Sequence, residues 1–215
     1  MPPAKGDDTI MQADARTQWV PAAVSTDILD GTVVPAALPT GPIAVWRTAS
    51  GELHANGDRC PHRGMRLSHG FVRGNSLSCI YHGWRYGRDG GCEHIPAHPG
   101  LAPPKSINCG PLPVAEANGV VWVAAAEPEE APAEIEGFEA LRSMIFRATP
   151  EAIAEAAGAA LKTELSGTPA YLVTAERTPL ETFVVALVPT GTSVASKLAA
   201  ATALEALRRT AEGAA

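Results

Sequence analysis

From Trp19 to about Ala126 the apolar residues come in short runs, such as PIAVWRT and GVVWVAAA, each closed by turn residues as in ASGE, NGD and RDGG. Apolar and β-branched runs bounded by Gly, Pro, Asn and Asp predict strands, so this stretch reads as a small all-β domain. Beyond it the pattern changes. AEPEEAPAEIEG is rich in Pro and Glu, which suits a linker or a solvated strap. Thr149, Pro150 and Glu151 then supply an N-cap, a first-turn proline and an acid ahead of AIAEAAGAALKTE, predicting a helix near 150–164. YLVTAE and TFVVALV flank RTPLE as a hairpin. Finally Val194, Leu198, Ala201, Leu204 and Leu207 recur at helical spacing, with Arg208 and Arg209 near the end where the helix dipole favours cations.

The pattern divides the chain into a polar tail over 1–16, expected to be mobile, an all-β domain over 17–126, a linker or strap over 127–145, and an α-β-β-α segment over 146–215. The fold class is α+β. With 46% hydrophobic and 19% charged residues in 215, a core can form without disulfides. A formal net charge of −6 offers no broad basic surface to nucleic acid or an anionic membrane. No apolar run approaches the roughly 18 residues of a spanning helix. A cytoplasmic protein with protein partners is expected.

Cysteine occurs at 60, 79, 92 and 109, and the first two stand shortly before a histidine. Cys60-Pro61-His62 and Cys79-Ile80-Tyr81-His82 are separated by sixteen residues. A thiolate and an imidazole from each of two loops could close a tetrahedral zinc site, a reading that ligand count alone leaves open. The surrounding sequence adds CPHRG, YHGW, the glycines of RDGGC and a following Pro-rich loop. On these residues the stretch from about 19 to 125 resembles the Rieske [2Fe-2S] family. The resemblance is closest to the N-terminal domain of ring-hydroxylating and demethylating non-haem iron oxygenases, which often open like WVPAA and close like GVVWV. It implies antiparallel sheets with two cluster-binding loops, Cys60 and Cys79 on the inner iron, and His62 and His82 on the outer, more exposed one. Family members in respiratory and photosynthetic cytochrome complexes carry extra cysteines where this chain has Met65 and Tyr81. Trp84 and the backbone near Gly64 and Gly83 are expected donors to the sulfurs, with packing under the cluster the alternative role for Trp84. Cys92 and Cys109 are expected to be packing residues.

A complete oxygenase of this kind also needs a mononuclear iron, held by two histidines and a carboxylate. The histidines are 54, 62, 69, 82, 94 and 98, and the last aspartate is Asp89. Residues 127–215 therefore cannot assemble that triad, no mononuclear iron is expected on this chain, and no catalytic residue is assigned. The expectation is an electron-transfer component of a multi-subunit non-haem iron oxygenase, reduced by a reductase or ferredoxin and joined in a hetero-oligomer to a subunit carrying mononuclear iron. A stand-alone Rieske ferredoxin, a self-contained oxygenase with unusual ligands and a zinc-stabilised interaction module are the alternatives. The order of the C-terminal elements resembles a reduced helix-grip fold. Its hairpin, marginal alone, should pack on the first domain or extend a partner's sheet, as an assembly element.

Overall fold

A computed structural model describes residues 19–158 and 160–213; the expected tail, 1–16, lies outside them. Strand β1 (Val20–Val24) is followed by a meander of β2 (Val33–Leu38), β3 (Gly41–Arg47) and β4 (Leu53–Gly57). A small sheet is inserted next, made of β5 (Phe71–Arg73), β6 (Ser76–Ser78), β7 (Arg85–Tyr86) and β8 (Cys92–His94). The chain then returns through β9 (Pro111–Leu112), which pairs with β4, and the hairpin of β10 (Val114–Ala117) and β11 (Val120–Val123), which pairs with β1. The spatial orders are β2-β3-β4-β9, β5-β6-β7-β8 and β1-β11-β10. All the ladders are antiparallel, so the all-β expectation for this part holds.

The second half contains β12 (Phe138–Phe146), α1 (Pro150–Ala156), β13 (Lys162–Leu165), β14 (Thr168–Thr178), β15 (Glu181–Pro189) and α2 (Val194–Ala211), with the sheet ordered β12-β15-β14-β13. The expected hairpin and terminal helix are present, but the order is β-α-β-β-β-α rather than α-β-β-α. Two differences account for this. Strand β12 begins inside the stretch read as a linker, because a register shift between Ala140 and Arg142 breaks the alternation that marks a strand. The first helix stops at Ala156 because Gly158 adopts φ +98°, and Lys162–Leu165 turns back through Ser166 and Gly167, both at positive φ, onto β14. Alanine richness alone had favoured a longer helix.

Strand β15 is the centre of this half. Val184, Ala186 and Val188 face Ile153 of α1 and Ala200 and Leu204 of α2. Phe183, Val185 and Leu187 face Val24, Val120 and Trp122 of the first domain. Burial on both faces explains why FVVALV is continuously apolar rather than alternating. The hairpin thus packs on the first domain, one of the two arrangements expected of it.

The β10–β11 turn ties the halves together. Asn118 and Gly119 have φ of 54° and 71°, the left-handed pair that a tight two-residue hairpin requires. The Asn118 side chain donates to the carbonyls of Ile135 and Phe138 and accepts from the Ile135 N–H, all within 2.9 Å. Its carbonyl accepts from Ala140 N–H at 2.7 Å.

Replacing Asn118 by Ala removes three side-chain hydrogen bonds while keeping a Cβ in the left-handed region, and should lower stability by about 3 kcal/mol. Asn118→Gly loses the same bonds without the backbone strain and should cost roughly 1 kcal/mol less. Urea unfolding of both variants checks the order; equal losses would remove the backbone contribution, and no loss in either would remove the tie.

Candidate metal centre

Two loops project the sequence-predicted ligands. The first, 58–70, joins β4 to β5, and the second, 79–84, joins β6 to β7. Their backbones follow one scheme: Gly64 N–H donates to Cys60 C=O at 2.8 Å and Cys60 N–H to Met65 C=O at 2.8 Å, while Gly83 N–H donates to Cys79 C=O and Cys79 N–H to Trp84 C=O, both at 2.9 Å. Each loop closes through a glycine at φ +70° or +71°, where a side chain would be strained.

The loops bring the four side chains together as two pairs. Cys60 and Cys79 are buried and their sulfurs are hydrogen-bonding neighbours. His62 is half-buried and His82 exposed, with ring centroids 4.6 Å apart. Burial pushes the Cys79 thiol pKa up, while the backbone N–H groups of Tyr81 and His82 donate to its sulfur and act the other way. Desolvation holds the His62 pKa below its ordinary value, helped by His82 and Arg63.

Sulfur donors were expected near Gly64 and Gly83. The glycine N–H groups themselves go to the cysteine carbonyls, and the amides of Tyr81 and His82 reach the Cys79 sulfur. Trp84 lies flat against His62, centroids 4.3 Å apart and planes 5° from parallel, so its ring fixes the tilt of the imidazole. On the outer side Tyr81 leans on His82 at 3.9 Å. Cys92 and Cys109 are buried in the same cluster of side chains but belong to β8 and the segment leading to β9; burial pushes Cys109 up to about 12, which keeps it a neutral packing group.

Three residues outside the expected set shape the site. The carboxylate of Asp58, fully buried, accepts from the Ser68 N–H at 2.7 Å and the Ser68 hydroxyl at 2.8 Å, with Arg66 at 3.7 Å, and so clamps the two ends of the first loop. At Gly70 a Cβ would collide with the carbonyl oxygen of Ser78 and lie 2.9 Å from that of Leu67, so only glycine lets the first loop touch the strand that delivers Cys79. Tyr86 Oη sits 3.0 Å from Cys60 Sγ, and burial, followed by the nearby sulfur, keeps the phenol protonated well above its ordinary pKa. Against a thiolate it can only donate. Position 58 had been read as part of a turn and Gly70 and Tyr86 carried no expectation, because their partners are remote in sequence.

This donor set fits a two-iron cluster better than one zinc ion. Among the described residues no three His, Cys, Asp or Glu side chains group to hold a single metal ion. A cluster asks instead for two sulfurs on one iron and two nitrogens on the other. The Nδ1 of His62 is buried with no hydrogen-bond partner, an uncompensated polar atom that metal coordination would satisfy.

Residues 18–108 match the Rieske [2Fe-2S] domain family. The oxidoreductase NdmD of Pseudomonas putida is 40% identical over 119 residues, 55% of this chain and 20% of that protein. The 3-chlorobenzoate-3,4-dioxygenase oxygenase subunit of Comamonas testosteroni is 36% identical over 120 residues, 55% of this chain and 28% of that protein. The chain thus spans under a third of the length of these curated relatives. Among solved structures, apo dicamba monooxygenase superposes with a TM-score of 0.72 at 16% identity, covering 93% of this chain and 86% of that one, a likeness of fold that extends into the second half.

Asp58→Ala leaves the Ser68 N–H and hydroxyl without their buried acceptor and should cost about 3 kcal/mol, against about 1 kcal/mol for Ser68→Ala, which spares the backbone bond. Urea midpoints of the two variants decide it; equal, small losses would show that the first loop does not depend on this carboxylate.

Proposed function

Because residues 18–108 are a Rieske [2Fe-2S] domain, we propose that this electron-transfer component serves a non-haem iron oxygenase system. It takes electrons from a reductase or ferredoxin and passes them to a partner subunit that carries mononuclear iron. The observation that carries this reading is the pairing at the loops: two buried sulfurs side by side, two imidazoles beside them, and an orphaned nitrogen on His62.

Cys60 and Cys79 would hold one iron of the cluster, and His62 and His82 the other. When bound, the cluster supplies a one-electron couple at a potential raised by its two neutral nitrogen ligands. The chain's residues do the rest. Burial of the cysteines keeps water from the sulfurs. The exposed ring of His82 gives an edge at the surface where a partner can approach. Tyr86 and the amides of Tyr81 and His82 donate to the sulfurs, which stabilises the added negative charge of the reduced state. Trp84 holds the His62 ring in place.

The second half supports a role in assembly. Residues 127–215 contain neither histidine nor aspartate, so they lack the donors of a mononuclear iron triad. They supply instead a sheet covered by two helices and packed on the first domain. We place the boundary between the two units at 127–137, ahead of β12. Among the described residues no helix is long and apolar enough to cross a membrane. None of the four cysteines is joined in a disulfide, which suits a reducing cytoplasm.

The purified chain reconstituted with iron and sulfide should be reddish-brown and give a Rieske-type EPR signal on reduction, and Cys60→Ser should lose both. Tyr86→Phe should keep the signal and titrate at a lower potential. A colourless protein that binds zinc would falsify the reading, and an unchanged potential in Tyr86→Phe would remove that hydroxyl from it.

A further inference from the structure

The loop end of the first domain is charged unlike the rest of the chain. Residues 58–88 contain six arginines and one acid, Asp58, in a protein of formal net charge −6. Asp58 is buried on Ser68 and Arg66, and Arg88 pairs with Glu52 at 2.7 Å. Among the described residues Arg59, Arg63 and Arg73 meet no carboxylate. Arg59 is laid along the first loop by donating to Gly64 C=O at 3.0 Å, and Arg63 directly follows His62. From the adjoining loop Ile80 and Tyr81 are 58% and 53% exposed, and Tyr81 rests on the His82 ring. Elsewhere the surface is acidic: Glu127, Glu129, Glu130, Glu134 and Glu136 are all exposed and in no ion pair among the described residues.

An exposed apolar and aromatic centre with arginine at its edge has the composition of an interface core and rim. Placed on an acidic protein, it also solves a problem of approach. An acidic partner is repelled by the body and attracted by one end, so encounters are turned toward the imidazoles. Charged rim contacts raise association rates more than they hold a complex together, which suits a donor that must arrive and leave in every cycle.

We infer that the arginine-flanked tip around Ile80 and Tyr81 is the docking surface for an acidic electron-donor protein, whose carboxylates face Arg59 and Arg63 while an apolar contact covers Ile80 and Tyr81. This rests on the reading of Cys60, His62, Cys79 and His82 as cluster ligands. In each encounter the donor is oxidised by one electron and this chain is reduced by one; no bond forms or breaks.

The test is stopped-flow reduction of the full cluster-loaded chain by fully reduced flavodoxin, a strongly acidic one-electron donor. Ionic strength is raised from roughly 0.01 to 1 M, which shortens the screening length from about 30 to about 3 Å. The second-order rate constant should fall about tenfold or more over that range. Arg63→Glu should lower it several-fold at low salt and converge with the parent at high salt, whereas Arg209→Glu, on the exposed face of α2, should match the parent throughout. A rate indifferent to salt overturns the inference, as does an equal effect of Arg209→Glu. So does salt-sensitive self-association of the chain in sedimentation that Arg63→Glu abolishes, because the tip would then face the glutamate strap of a second copy. Should Arg63→Glu not load its cluster, the salt dependence of the parent decides. Dithionite separates the two readings: a parent chain that develops no Rieske signal with it fails at the ligand assignment, not at docking.

Discussion

The site depends on keeping two thiol side chains out of water within a few residues of two imidazoles that face it. Burying a sulfur that must carry charge is unfavourable unless donors surround it, and exposing a histidine two or three residues later requires the chain to reverse sharply. Both loops meet the demand in the same way, with a left-handed glycine four residues after the cysteine and a backbone hydrogen bond on each side of it. The remaining cost is met by contacts from outside the loops: Asp58 draws the first loop shut, Gly70 lets it touch the second, and Tyr86 brings a hydroxyl to Cys60. The result is polarity in the structural sense, with the sulfurs buried and the imidazoles nearer the surface.

What could be read from the sequence follows from how local each feature is. Cys60, His62, Cys79 and His82 declare themselves because metal chemistry needs particular atoms at short spacing, and the glycines beside them because the turns need positive φ. Asp58 is invisible in NGD: a turn aspartate and a buried clamp look alike until Ser68 is seen folding back on it. Gly70 is obscure for the same reason, since its neighbour Ser78 belongs to another strand. Trp84 was legible as part of the site but not in its geometry, because stacking on His62 is a property of two loops at once.

In the second half the short-range signals were right about type and wrong about extent. The expected cap at Thr149 forms, accepting from the Ala152 N–H at the start of its helix. What failed were the elements stabilised from a distance. Strand β12 has a bulge that disrupts its alternation and is secured by β15, some forty residues later. The four residues of β13 form a strand only because β14 returns beside them. Local propensity is a weak guide wherever pairing at long range decides.

Strand β15 has a further consequence. Its side chains are shared between the helices of the second half and the β1–β11 face of the first domain, so the two halves meet through packed apolar side chains. Hinge motion would have to expose Phe183, Val185 and Leu187 together with Trp122. Anything seated on the second half would therefore stand at a separation from His62 and His82 fixed by packed strands rather than by the swing of a tether.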